Sequence, residues 1–134
     1  MKRSLAAATI VLLLACNRDL PTTPTTTGCS NFAGVYEVSY AGTCTSQYPK
    51  QWTLVQNACE VHTQLVPDAP TLAGTARGNT LHLTMRNGFI NCQYQLEGDA
   101  AFDGRTLRGT VSGPTSGPCC GSGNATVQFT AVKR

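Results

Sequence analysis

From residue 32 onward the chain alternates. Phe32, Gly34, Tyr36, Val38 and Tyr40 fall on one side of an extended backbone, and Ala33, Val35, Glu37 and Ser39 on the other. Leu81, Leu83 and Met85 oppose Thr80, His82, Thr84 and Arg86. Ile90, Cys92, Tyr94, Leu96, Gly98, Ala100 and Phe102 oppose Asn91, Gln93, Gln95, Glu97 and Asp99, and Val127, Phe129 and Ala131 oppose Thr126, Gln128 and Thr130. Successive side chains of a strand point to opposite faces, so this period of two describes a sheet with one dry and one wet face. No sustained helical period follows residue 16, and the chain is predicted to be all-β.

Turn signals cut the alternation at short intervals: Pro67-Asp68-Ala69-Pro70, Gly78-Asn79, Asn87-Gly88 and Asp103-Gly104. Asn-Gly and Asp-Gly pairs supply the positive φ that tight hairpins require. The predicted strands are 32–40, 50–57, 59–66, 71–77, 79–86, 89–102, 105–112 and 124–133. Every join is hairpin-length except those at 41–49 and 113–123. Eight short strands with one apolar face close into a small antiparallel up-and-down barrel, which removes exposed edges. A flattened β-sandwich is the alternative. A weak echo between residues 71–78 and 106–113 places Gly74 and Gly109 where a barrel wall bends.

The first residues obey other rules. Lys2 and Arg3 precede an apolar run, Leu5 to Leu14, interrupted only by Thr9. As a helix this run spans about 15 Å, half of a bilayer's ~30 Å hydrocarbon core, so it fits a cleaved signal peptide rather than a membrane span. It ends Leu13-Leu14-Ala15-Cys16, which resembles the lipobox of bacterial lipoproteins. That resemblance implies a signal peptide at 1–15 and a diacylglycerol thioether on Cys16, carrying acyl chains such as palmitate. Asn17 after the cysteine implies the outer membrane of a diderm bacterium. Residues 16–28 form the lipidated cysteine and a Thr/Pro-rich tether. This segment has too little apolar surface to offset its ordering entropy. The folded domain is 29–134.

Removal of Lys2 and Arg3 with the leader takes the ten basic residues to eight, against seven acidic ones, for a mature charge of +1. No Lys/Arg cluster remains, so nucleic acid is not an expected partner.

Gly34-Val35-Tyr36 at the start of the first strand resembles the Gly-x-Trp opening of the calycin group, which includes lipocalins, avidins and small bacterial protease-inhibitor barrels. Trp52-Thr-Leu-Val-Gln56 followed by Leu72-x-Gly74 is similar to many lipocalin-like bacterial lipoproteins. The resemblance covers about 100 residues, with Tyr in place of Trp. It implies a barrel whose closed end has a basic residue of the last strand, Lys133 or Arg134, packed across the Tyr36 ring.

With Cys16 lipidated, six cysteines remain: Cys29, Cys44, Cys59, Cys92, Cys119 and Cys120. An even number in an exported chain reads as a disulfide set. In an up-and-down barrel Cys29 and Cys59 fall at the end where the first strand begins, and the other four fall at the opposite end. A disulfide needs Cα atoms within about 7 Å, whereas a six-residue strand spans about 20 Å. Cys29 therefore pairs with Cys59, and Cys44 and Cys92 each take one of Cys119 and Cys120, in either order.

No catalytic set is expected, and neither a metal nor a cofactor. His62 and His82 fall on outward faces, Glu97 and Asp99 read as solvated charge, and Asp103 belongs to a turn. Tyr36, Tyr40, Trp52, Tyr94, Phe102 and Phe129 point inward, where they either fill the barrel or line a cavity for a small apolar ligand. The expected function is that of a monomeric, non-enzymatic, lipid-anchored envelope module. It would bind a small apolar ligand or a protein partner through the 41–49 and 113–123 loops. A protease-inhibitor-like barrel and a purely structural surface lipoprotein are the alternatives.

Overall fold

A computed structural model describes residues 28–67, 69–89, 92–118 and 120–134. Eight strands form a closed antiparallel barrel in sequence order. They are β1 (Gly34–Gly42), β2 (Gln51–Asn57), β3 (Glu60–Thr63), β4 (Thr71–Arg77), β5 (Thr80–Phe89), β6 (Cys92–Phe102), β7 (Thr106–Ser116) and β8 (Gly123–Lys133). β1 closes the wall by pairing with β8 from Tyr36↔Lys133 to Gly42↔Val127. The barrel, not the sandwich, is the solution because each strand buries only its apolar alternate. Along β6, Cys92, Tyr94, Leu96, Ala100 and Phe102 are buried, whereas Gln93, Gln95, Glu97 and Asp99 are exposed.

Gly74 and Gly109 lie on the inner face where neighbouring strands crowd together. A Cβ on Gly109 would come within 2.6 Å of the Asp99 carbonyl oxygen, and one on Gly74 would strike that of His82. The wall can coil tightly there only without a side chain.

The end where β1 begins, the base, is closed by the chain's own entry. Phe32 precedes β1 instead of forming part of it, and lies fully buried with its ring 5.0 Å from that of Phe102. Gln56 stands on the otherwise apolar face of β2 and clamps this segment. Its Oε1 accepts from the Phe32 N–H at 2.7 Å, and its Nε2 donates to the Ser30 and Ala58 carbonyls. Cys29 and Cys59 form a disulfide beneath it, Cα to Cα 5.7 Å. Two turns at this end follow their sequence signals: Gly78 at φ 56°, and Gly104 at φ 98° beside Asp103, whose Oδ1 accepts from the Arg105 and Thr106 N–H groups.

Three expectations need correction. Asn87-Gly88 is not a turn: β5 runs on through both residues and pairs to Phe89↔Cys92. Extending the hairpin gives Asn87 a partner in Tyr94 and retains ladder bonds that an earlier turn would forfeit. Residues 64–66 do not continue β3. Pro67 and Pro70 lack the N–H groups a longer β3–β4 ladder needs, and Thr63 Oγ1 accepts from the Leu72 N–H at 3.0 Å instead. β7 continues to Ser116 rather than ending at 112, and pairs with β8 through Thr115↔Gly123.

Candidate ligand site at the barrel mouth

The opposite end, the mouth, gathers three of the chain's four tyrosines, Tyr40, Tyr48 and Tyr94. The segment between β1 and β2 contains a 3-10 turn, Thr45–Gln47, and then folds Tyr48 inward, leaving it 4% exposed. Its ring lies 5.1 Å from Tyr40 and 5.1 Å from Tyr94. Tyr40 lies 6.3 Å from Trp52, which in turn packs 5.1 Å from Phe129. The Tyr40 O–H donates to the Pro49 carbonyl at 2.7 Å, and the Tyr48 O–H to the Thr43 carbonyl at 3.1 Å. Burial raises the ionisation of Tyr40, Tyr48 and Tyr94 above the usual phenol value, so all three remain O–H groups at physiological pH.

Where β3 stops short, the wall parts. Residues 64–67 swing outward, with Leu65 79% and Val66 58% exposed. Beside them a cleft of about 190 Å³ opens between β2 and β4. Trp52, Leu72 and Met85 form its inner wall, with Thr53, Thr63, Val66, Ala69 and Pro70 around its rim. No described lining residue carries a charge. Room of this order admits about one aromatic ring, since a dry cavity of ~150 Å³ holds benzene.

The six rings expected to line a cavity all point inward, but they do not share one. Tyr36 and Phe102 pack against each other at the base, centroids 6.5 Å apart. Burial pushes the Tyr36 phenol up to about 12. Phe129 is buried against Trp52, and Tyr40 and Tyr94 flank Tyr48. Of the six, Trp52 reaches the cleft. Lys133, not Arg134, lies across the Tyr36 ring, its Nζ 6.0 Å from the centroid, at the outer limit of cation–π contact. The same Nζ donates to the Asn31 carbonyl at 3.2 Å, while Arg134 pairs with Glu37.

Cys44 and Cys120 form a second disulfide, Cα to Cα 5.4 Å, which ties the 43–50 loop to the β7–β8 loop. Cys92 is also disulfide-bonded. Cys119, the 1–15 leader, Cys16 and the tether up to residue 27 lie outside the described residues.

Glu97 and Asp99 are not merely solvated. His82 stands between them on the outer wall, with Nδ1 2.7 Å from Asp99 Oδ1 and Nε2 2.8 Å from Glu97 Oε1. Their hydrogen bonds, that of Asp99 foremost, raise the imidazole above its ordinary value and favour the doubly protonated ring. His62 is exposed, its Nδ1 3.1 Å from the Thr63 carbonyl. Among the described residues no cluster of three or more His, Cys, Asp or Glu is arranged to hold a metal ion. No family model, curated protein or solved structure matches the chain.

Proposed function

We propose that this chain is a non-enzymatic, lipid-anchored protein of the bacterial envelope whose barrel binds a small apolar ligand at its mouth. The cleft beside residues 64–67 and 69–70 carries the reading: an opening, with no charge among its described lining residues, that leads from solvent to Trp52, Leu72 and Met85. At about 190 Å³ it falls below the ~300 Å³ at which drug-sized pockets begin, so its ligand is of one-ring or short-chain size. The anchor rests on Lys2-Arg3, the apolar run and Leu13-Leu14-Ala15-Cys16. The exposed Leu65 and Val66 favour a second reading, in which a protein partner closes over the same loop. The inhibitor reading draws less support, because the 43–50 loop is turned inward by Tyr48 and tied by Cys44–Cys120 instead of projecting.

Native mass spectrometry of the membrane-extracted protein tests the binding. A co-purified small apolar molecule is expected, lost in Ala69→Phe, which fills the cleft from its rim. A partner protein in place of that molecule decides for the second reading. Cys16→Ser tests the anchor, and should leave an uncleaved precursor that takes up no labelled palmitate.

A further inference from the structure

The two ends of the barrel differ in charge. The segments around the mouth, 41–49, 64–70, 87–93 and 113–123, hold one charged residue in their whole length, Asp68. The shorter segments around the base, 57–60, 77–80, 102–106 and 132–134, hold six. On the charge-poor end Leu65 and Val66 stand in solvent, 79% and 58% exposed, and Val66 is also a lining residue of the cleft. Lys50 flanks them just before β2, and Arg86 flanks them opposite Thr71, where the chain rejoins the wall. Both cations are exposed, and neither meets an acidic side chain among the described residues. A lipid–water interface accepts such a surface: apolar side chains enter the headgroup boundary, while Lys and Arg keep their charged heads among the phosphates.

The chain ahead of the barrel is long enough to permit that contact. Twelve residues, 17–28, separate Cys16 from Cys29 at the base. An extended segment of that length reaches roughly 35–40 Å. β6 and β8 have 11 residues each, and rise about 25–30 Å along the axis at the usual barrel tilt. A lipid on Cys16 can therefore lie level with the mouth, although its chain enters at the base.

We propose that the anchored barrel sits mouth-down on its own membrane, with Leu65 and Val66 in the headgroup boundary and Lys50 and Arg86 against lipid phosphates. This rests on the anchor reading above and gives the cleft its supply, because an apolar ligand passes from the bilayer beside Val66 to Trp52 without crossing water. The base competes poorly for the same surface. Its charges are of both signs and partly paired, Arg134 with Glu37 and Arg108 with Asp103. The insertion required is shallow, about 5–10 Å, so the carboxylate of the same loop need not leave water.

Site-specific photo-crosslinking tests the orientation. p-Benzoylphenylalanine replaces Leu65 in one preparation and Val132, 37% exposed near the base, in another. The full chain, purified from its membrane and placed in nanodiscs of phosphatidylethanolamine and phosphatidylglycerol, is irradiated. Mass spectrometry reads the adducts and the acyl chains on the Cys16 peptide. The lipid adduct at position 65 should exceed that at 132 by about tenfold, and Val66→Asp should remove most of the excess, since burying one such side chain is worth at least that factor. Adducts no greater at 65 than at 132, with Cys16 acylated, overturn the docking and leave the anchor standing. A cross-link from 65 to a second copy of the chain in place of lipid, or an excess that survives Val66→Asp, overturns it too. A Cys16 peptide without acyl chains sinks the anchor and the docking together.

Discussion

The two ends of this barrel are built from the same materials to different effect. Each has a disulfide, a buried ring on an entering segment and a cluster of aromatic side chains. At the base every element is tied to the wall. Phe32 is fully buried and its backbone N–H is held by Gln56, while Cys29 is bonded to Cys59 and the Ser30 N–H reaches the Gly78 carbonyl at 2.9 Å. At the mouth the wall parts beside β3, Leu65 and Val66 face solvent, and Tyr94 keeps an unpaired hydroxyl. Native structures leave such features where stability is not the only demand. The contrast fits the proposed reading, in which the base holds the barrel shut and the mouth binds.

The largest effect should come from the plugs themselves. Phe32→Ala removes a fully buried ring from a site hemmed in by strand walls, and is expected to cost about 3–5 kcal/mol. Tyr48→Ala removes a ring of similar size from a loop that can settle into the space, and should cost about 1–2 kcal/mol while admitting larger ligands. Denaturant unfolding of the two variants gives both values. Equal losses would erase the distinction between the ends.

The disulfides set two rules against each other. Cys29–Cys59 closes a sequence separation of 30 and Cys44–Cys120 one of 76, so chain entropy alone ranks the mouth bond higher. The structure argues the reverse, because loss of Cys29–Cys59 also frees the segment that carries Phe32. The Cys29→Ala/Cys59→Ala pair should lose about 3–4 kcal/mol, with faster hydrogen exchange throughout the barrel. The Cys44→Ala/Cys120→Ala pair should lose about 2 kcal/mol, with faster exchange confined to the mouth. A larger, barrel-wide loss in the mouth variant would favour the entropy ranking and weaken the comparison.

Two turns at the base offer a finer probe. Ala58 is exposed at φ 53° and Gly78 sits at φ 56°. Left-handed backbone costs a residue with a Cβ about 1–2 kcal/mol, while glycine forfeits about 0.5–1 kcal/mol of chain entropy. Ala58→Gly should therefore stabilise by about 0.5–1 kcal/mol. A Cβ on Gly78 would meet nothing within 4 Å, so Gly78→Ala should destabilise by about as much through its backbone alone. Shifts in denaturation midpoint of equal size and opposite sign are expected. A loss in Ala58→Gly would mean that its methyl group contributes packing at the base.

Much of the base was legible because it depends on parity and on turn residues. Alternation placed Tyr36, Leu81, Leu96 and Phe129 inside, and Gly78 and Asp103-Gly104 announced their turns. Counting reversals put Cys29 beside Cys59. Gln56 was visible too, as a glutamine on the dry face of Trp52 and Leu54, but one polar residue in an apolar alternation does not say which N–H it will meet. The mouth was less legible. Its cleft exists because β3 stops at Thr63, and periodicity carried that strand on to Val66. The Asn87-Gly88 signal placed the β5–β6 turn too early, which sets His82 opposite Gln93 instead of Asp99. The slip along β6 is six residues, an even number, so every side chain kept its correct face while every cross-strand partner was wrong. The core therefore survived the error and the His82–Glu97–Asp99 cluster did not.

That cluster supplies the smallest and most specific effect. His82 and Asp99 lie toward the base, near the Gly78 and Gly104 turns, and clasp β5 to β6 from outside. The imidazole is raised above its unfolded value of ~6.5, chiefly by Asp99 and then by Glu97. A raised folded value means that the native state holds the proton more tightly than the unfolded chain does. The stabilisation is thus complete below about pH 6.5 and fades as pH rises through the folded value. His82→Gln should therefore trail the parent in denaturant stability at about pH 5.5 and approach it at about pH 9, with His62→Gln as the control. Side-chain exposures of 56% for His82 and 70% for Asp99 leave the pair open to screening, so 0.5 M salt, on the order of a 4 Å Debye length, should shrink the difference. Hydrogen exchange should quicken in β5–β6 near the base and stay unchanged around Tyr48 and Trp52. A stability gap that widens with rising pH would mean that the imidazole is held neutral. The two carboxylates would then be competing for one ring proton rather than sharing a cation, and the clasp would no longer count among the ties that distinguish the base from the mouth.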